Sequence, residues 1–206
     1  MRVSVITIAR TLGAGGEDLG QALADRLGFR YVDSEIIDRA AALAQVKPEE
    51  VARVEARKGL LDRIFENLAK ASAVNVTAGV ADFAAMSIDT PGYEQLIVDV
   101  IRETADMGAV VIVAHGAGIP LAGRPDTIRL LVTASVETRA RRVAASGVDP
   151  KQAQKDVADS DRARADFLRR FYGVQHELPT HYDIVINTDA LDTEHAAGAV
   201  MGIINA

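Results

Sequence analysis

Short apolar runs alternate along this chain with longer stretches in which apolar residues recur every three or four positions. The run Val3 to Ile8 thickens with β-branched residues and predicts a strand buried on both faces. Gly13-Ala14-Gly15-Gly16 follows as a turn, and Leu19, Ala22, Leu23, Arg26 and Leu27 then fall at helical spacing, so a helix starts near Gly15. Phe29 to Asp33 reads as a short strand ending on an aspartate, with Ser34 capping a helix through Ala40. Lys47-Pro48-Glu49-Glu50 opens a further helical stretch, with Pro48 in its first turn. Ala56 to Met86 is alanine-rich and reads equally as one helix, two helices or a mobile flap. Asp89-Thr90-Pro91-Gly92 reads as a break, followed by a helix from Tyr93 to Met107 that Gly108 ends. Ala109 to Ala114 is a fully apolar strand leading into the turn His115 to Gly118. Thr127 to Thr133 is the next strand, and Ser135 caps a helix carrying Arg139, Arg141 and Arg142. Asp149-Pro150 opens a long polar helix through Tyr172, Tyr182 to Asn187 is a last strand, and Thr193 caps the closing helix to Ile204.

Strands alternating with helices predict an α/β protein whose parallel sheet is covered on both faces, with right-handed crossovers. Ligands of such sheets lie beyond the carboxyl ends of the strands. The residues there are Arg10 to Gly16, Asp33, His115 to Gly118, Ser135 and Asn187.

Composition narrows this picture. A length of 206 residues suits one domain, and 49% hydrophobic residues is an ordinary globular content. A net charge of −6 argues against a nucleic-acid polymer as partner. The absence of cysteine removes disulfides and thiol chemistry, and the four histidines form no metal-ligand pattern, so no protein-held metal is expected. No apolar run approaches the roughly 20 residues a bilayer span needs, so the expectation is a cytoplasmic protein without membrane partners.

A strand, a glycine turn and a helix present backbone N–H groups to a phosphate. The usual phosphate loop reads G-x-x-x-x-G-K-[ST]. Here Arg10 stands at the first glycine, Gly16 at the lysine and Glu17 at the hydroxyl residue. The same pattern also suits a tight turn with no ligand. Arg10 is either a cation replacing the lysine or a surface arginine paired with Glu17 or Asp18. Those two acids either complement the helix dipole or ligate Mg²⁺.

Several segments together resemble the cytidylate-kinase-like family of nucleoside monophosphate kinases. The opening Ala9-Arg10-Thr11-Leu12-Gly13-Ala14-Gly15-Gly16-Glu17-Asp18-Leu19 is similar to that family's strand and S-R-…-G-S-G-G-R-E-[IL] pattern, which also carries glycine for the lysine. Tyr31-Val32-Asp33-Ser34 through Arg39 resembles the segment that grips the monophosphate. Leu131 to Arg142 resembles a strand and helix of cytidylate kinases, Asp161-Arg162-Ala163-Arg164 the D-x-x-R of the lid, and Tyr182 to Leu191 the last strand and its turn.

The resemblance implies a P-loop, three-layer α/β fold. It implies one domain over 1–206, with a mainly helical acceptor-side insertion at about 35–90 and a lid at about 147–175. The implied reaction is transfer of the γ-phosphoryl group of ATP, with Mg²⁺, to a nucleoside monophosphate, cytidylate by default, or a similar small phosphorylated acceptor. The alternative is a nucleotide-binding sensor that kept the fold and lost transfer; a homodimer is compatible with either. By the same resemblance, Gly13, Ala14, Gly15, Gly16, Glu17 and Asp18 bind the nucleotide, and the lid arginines Arg162 and Arg164 act on the transferring phosphoryl group; Arg10, at the start of the loop, is expected to join them as the cation that replaces the lysine. Asp33, Arg39 and Asp161 hold the acceptor. His115, where such kinases often have arginine, joins them as a polar strand-end residue and not as a base. Arg139, Arg141 and Arg142 are expected to be surface or structural.

Overall fold

A computed structural model describes residues 3–44, 47–49, 52, 90–113 and 116–206. Five strands, β1 (Val5–Arg10), β2 (Arg30–Val32), β3 (Val110–Ile112), β4 (Thr127–Thr133) and β5 (Ile184–Asn187), form one parallel sheet in the order β2-β3-β1-β4-β5. The helices α1 (Gly16–Leu27), α2 (Glu35–Ala44), α3 (Thr90–Asp106), α4 (Val136–Ala145), α5 (Pro150–Tyr172) and α6 (Thr193–Ile204) accompany them, with a 3₁₀ turn at Pro179–His181.

The strand alternation distributes side chains to two cores. Val5, Val110 and Ile112 pack with α2 and α3 on one face, and Ile6, Ile8 and Val111 pack with α1 and α6 on the other. Because β1 and β3 are buried on both faces, their sequences are nearly continuous apolar runs. The closing of both faces sets the carboxyl end of β1, and the loop that follows it, against α4 and the end of β5.

Local signals and observed elements differ at a few boundaries. β1 extends to Arg10 because Ala9 and Arg10 pair with Leu131 and Val132 of β4, so pairing overrides the weak strand preference of these residues. The stretch expected to be a break at 89–92 instead opens α3 at Thr90, with Pro91 in the first turn, where a missing N–H costs no helical bond. Asp192 and not Thr193 caps α6, its carboxylate accepting the backbone N–H of His195 at 2.8 Å. Ser135 and Asp149 cap α4 and α5 as expected. The stretch Ala56 to Met86 and His115 lie outside the described residues.

Candidate phosphate-binding site

The loop between β1 and α1 turns twice through left-handed backbone, at Gly13 (φ 78°) and Gly15 (φ 80°). Ala14 lies between them, fully buried, its N–H donated to the Thr11 carbonyl at 3.0 Å. Gly15 caps α1, and a Cβ built there meets nothing within 4 Å. The first-turn N–H groups of α1 have no intrahelical acceptor and carry the positive end of the helix dipole.

Three successive loop carbonyls are held from behind. Arg139 Nη1 makes a long 3.5 Å contact to the Leu12 carbonyl, Arg142 Nη1 donates to that of Gly13 at 3.2 Å, and the Thr188 hydroxyl donates to that of Ala14 at 2.8 Å. Arg142 is fixed in turn by the hydroxyl of Thr188 at 2.9 Å and its carbonyl at 2.6 Å. Carbonyls engaged on the flank are kept from turning toward an anion, so the loop is set as a cradle of donors. The sequence reading missed this role of Arg139, Arg142 and Thr188. The one local signal is the i, i+3 spacing of the two arginines, which puts both on one face of α4.

At the mouth of the loop Arg10 Nε donates to Glu17 Oε1 at 2.7 Å. Glu17 and Asp18 are exposed in the first turn of α1. Burial, then the nearby carboxylates of Asp33 and Glu17, push the Tyr31 phenol up, and Arg10 opposes them. Asp33, at the end of β2, thus shares one electrostatic neighbourhood with Arg10, Glu17 and Asp18.

The long helix α5, expected as the lid, is tied down by buried charge. Asp161 receives both ends of the Arg139 fork, at 2.9 and 2.8 Å, while Arg139 Nε donates to the Ala134 carbonyl. Its carboxylate therefore joins α5 to α4 behind the phosphate loop, which differs from the acceptor-side place expected for it. Arg164 is paired with Glu177, Nε to Oε2 at 2.8 Å, and Glu177 also accepts the Tyr182 hydroxyl. Arg162, 73% exposed, turns outward to Asp159. Of the two expected lid cations, one faces solvent and the other is neutralised. Between Thr11 and α5 lies a cleft of about 160 Å³ whose wall includes Asp161, Arg164 and Glu177. Arg39 sits apart from the loop residues: it donates to Thr104 Oγ1 and Glu103 Oε2, each at 3.2 Å, and so joins α2 to α3.

The Glu177 pair has a pH signature. Burial alone would raise its carboxyl pKa, but the Arg164 guanidinium, aided by the Tyr182 hydroxyl, outweighs burial and lowers it. A depressed folded-state pKa contributes stability that is complete above the ordinary carboxylate value, about 4.3, and is lost as pH falls through the folded value. Thermal melting between pH 7 and pH 3 should therefore fall more steeply for the wild type than for Glu177→Gln. Parallel curves would show that the pair does not couple folding to protons.

A glycine-rich strand-to-helix loop at the carboxyl edge of a β2-β3-β1-β4-β5 parallel sheet places the chain in the P-loop α/β fold class. Residues 5–190 match the cytidylate kinase-like family, and the chain belongs to it, a family of nucleotide kinases. A cytidylate kinase of Desulfitobacterium hafniense (strain Y51) is 26% identical over 221 residues, covering 97% of this chain and 92% of that protein. An uncharacterized protein from Eubacterium ventriosum superposes with a TM-score of 0.67 at 19% identity, covering 98% of this chain and 99% of that one. A shikimate kinase from Bacteroides thetaiotaomicron has the same fold, with a TM-score of 0.53 at 15% identity and 98% and 99% coverage. Among the described residues no helix is long and apolar enough to cross a membrane.

Proposed function

We propose that the protein transfers the γ-phosphoryl group of ATP to a nucleoside monophosphate, with cytidylate the first acceptor to test. The observation that carries this reading is the loop whose carbonyls are held back by Arg139, Arg142 and Thr188, leaving a donor-lined cradle at a helix N-terminus. The relatives named cytidylate kinase support the acceptor class.

The chemistry asks mainly for positioning and charge. An oxygen of the acceptor's phosphate is already anionic near neutral pH and attacks the γ-phosphorus without a base. The bond from that phosphorus to the bridging oxygen breaks, and its electron pair stays on the β-phosphate. The loop N–H groups hold the donor phosphates, Asp33 binds the acceptor's sugar or base, and α5 excludes water. Mg²⁺ would neutralise the donor phosphates. Asp18, exposed in the first turn of α1, would add an oxygen ligand to an ion carried mainly by the phosphates.

The competing reading is nucleotide binding without transfer, favoured by glycine at the lysine position and by the commitment of Arg164 to Glu177. A coupled ADP-release screen over nucleoside monophosphates separates the two. Turnover with at least one acceptor supports the kinase; tight ATP binding with no turnover on any acceptor supports the sensor.

Gly15→Val tests the cradle itself. Its side chain would project into open space beside the N-terminus of α1, and its left-handed backbone costs about 1–2 kcal/mol. The variant should stay folded and show no calorimetric ATP binding. Wild-type affinity would remove the loop from the nucleotide site.

A further inference from the structure

Gly16 stands where a phosphate loop ordinarily carries its lysine, and the fold leaves no room for a side chain there. A Cβ built on Gly16 falls 2.5 Å from Arg10 Cβ, 2.9 Å from its Cγ and 3.5 Å from its Cδ. The clash is with the first carbons of the stem, which cannot swing aside as a side-chain tip does. The contact is reciprocal: the end of β1 and the first residue of α1 approach so closely that only one of them can bear a side chain. In the usual pattern the glycine is on the strand and the cation on the helix. Here the cation is on the strand and the glycine on the helix.

A second observation concerns what the Arg10 fork is free to do. Its Nε is held by Glu17, while Nη1 and Nη2 have no hydrogen-bond partner among the described residues. Its side chain is 25% exposed. The other arginines around the loop are committed. Arg139 is bound to Asp161, Arg142 to Thr188 and Gly13, and Arg164 to Glu177.

We infer that Arg10 and Gly16 are a side-chain exchange between the two ends of the loop. Arg10 contacts the β- and γ-phosphates of a bound nucleoside triphosphate from the strand side, and Glu17 is the positioning residue that aims its fork. This deepens the nucleotide-site reading and rests on it. Arg10 acts here through its charge and its planar fork of donors. Its part is to meet the negative charge that collects on the β-phosphate as the bridging bond breaks. The Arg10 pair also explains why a carboxylate is tolerated at position 17, beside a polyanion: its charge is matched before the ligand arrives.

The experiment has a steric arm and a charge arm, both on the full chain. In the steric arm, melting is compared for G16K, R10A/G16K and R10G/G16K. The first two keep the offending Cβ at position 10, so lysine at position 16 should be poorly tolerated in both. Only R10G/G16K removes that Cβ and should accommodate the lysine. Equal melting temperatures of R10A/G16K and R10G/G16K would overturn the exchange without touching the nucleotide reading. In the charge arm, calorimetry with Mg²⁺ compares ATP with AMP, which lacks the β- and γ-phosphates. R10A should lower the preference for ATP by about 10- to 100-fold, and R10G/G16K should recover it relative to R10G. In the acceptor assay R10A should lose about 100-fold in turnover. An unchanged ATP-to-AMP ratio in R10A overturns the inference and leaves the loop as a nucleotide site. A wild type that binds neither nucleotide overturns the site reading and the inference together.

Discussion

Replacing Asp161 by alanine should lower the melting temperature by about 6–12 °C, the equivalent of about 3 kcal/mol in a chain of this size. Arg139 is only 4% exposed, and Asp161 is the carboxylate that faces its fork. Without it the guanidinium stays buried with only the Ala134 carbonyl and a long contact to that of Leu12. A buried charge stripped of its partner costs more than the pair contributes when intact. The double variant Arg139→Met/Asp161→Ala should therefore melt above Asp161→Ala alone, because it removes the orphaned charge and leaves an apolar side chain of similar length. The same bond ties α5 to the back of the phosphate loop, so Asp161→Ala should also weaken ATP binding. A change in melting temperature below about 2 °C would show that Asp161 is not the residue that satisfies Arg139.

Gly13→Ala should be nearly as costly, at about 3 kcal/mol, for two separable reasons. The residue has φ 78°, where a side chain costs about 1–2 kcal/mol. Its Cβ would also lie 2.7 Å from the Arg139 carbonyl oxygen, which belongs to the first turn of α4 and cannot rotate away. Gly28→Ala isolates the first reason: φ is 66° and a Cβ there meets nothing within 4 Å. Chemical denaturation of both variants gives the difference, which measures the contact between loop and α4. Equal losses would mean that the loop moves off α4 at little cost. The expected inequality predicts weaker ATP binding by Gly13→Ala as well, since the displaced loop can no longer offer all of its N–H groups to one anion.

The arginines show most clearly how far the chain could be read from its residues alone. The 139–142 spacing places two guanidiniums on one face of a helix, and Ser135 and Asp149 announce where α4 and α5 begin. Nothing local says that those guanidiniums meet carbonyls 127 and 129 positions away in the chain. Thr188 is equally silent, though its hydroxyl reaches the Ala14 carbonyl across 174 positions. Asp161 and Arg164 fall on a pattern that suggested ligand contacts, and folding gave their charges to Arg139 and Glu177. Arg39 went the same way, to Glu103 and Thr104 on α3.

Periodicity, caps and turn residues were enough to establish the parallel α/β architecture, the glycine loop at the carboxyl edge and most helix starts. Each of those signals is set within a few positions of the chain. Which charge faces which, the closeness of Arg10 to Gly16, and the anchoring of the loop's carbonyls from α4 and β5 arose only with the packing of the helices on the sheet. A long polar side chain takes whichever counter-charge the packed helices bring within about 3 Å, and that choice exists only after the sheet has ordered its strands.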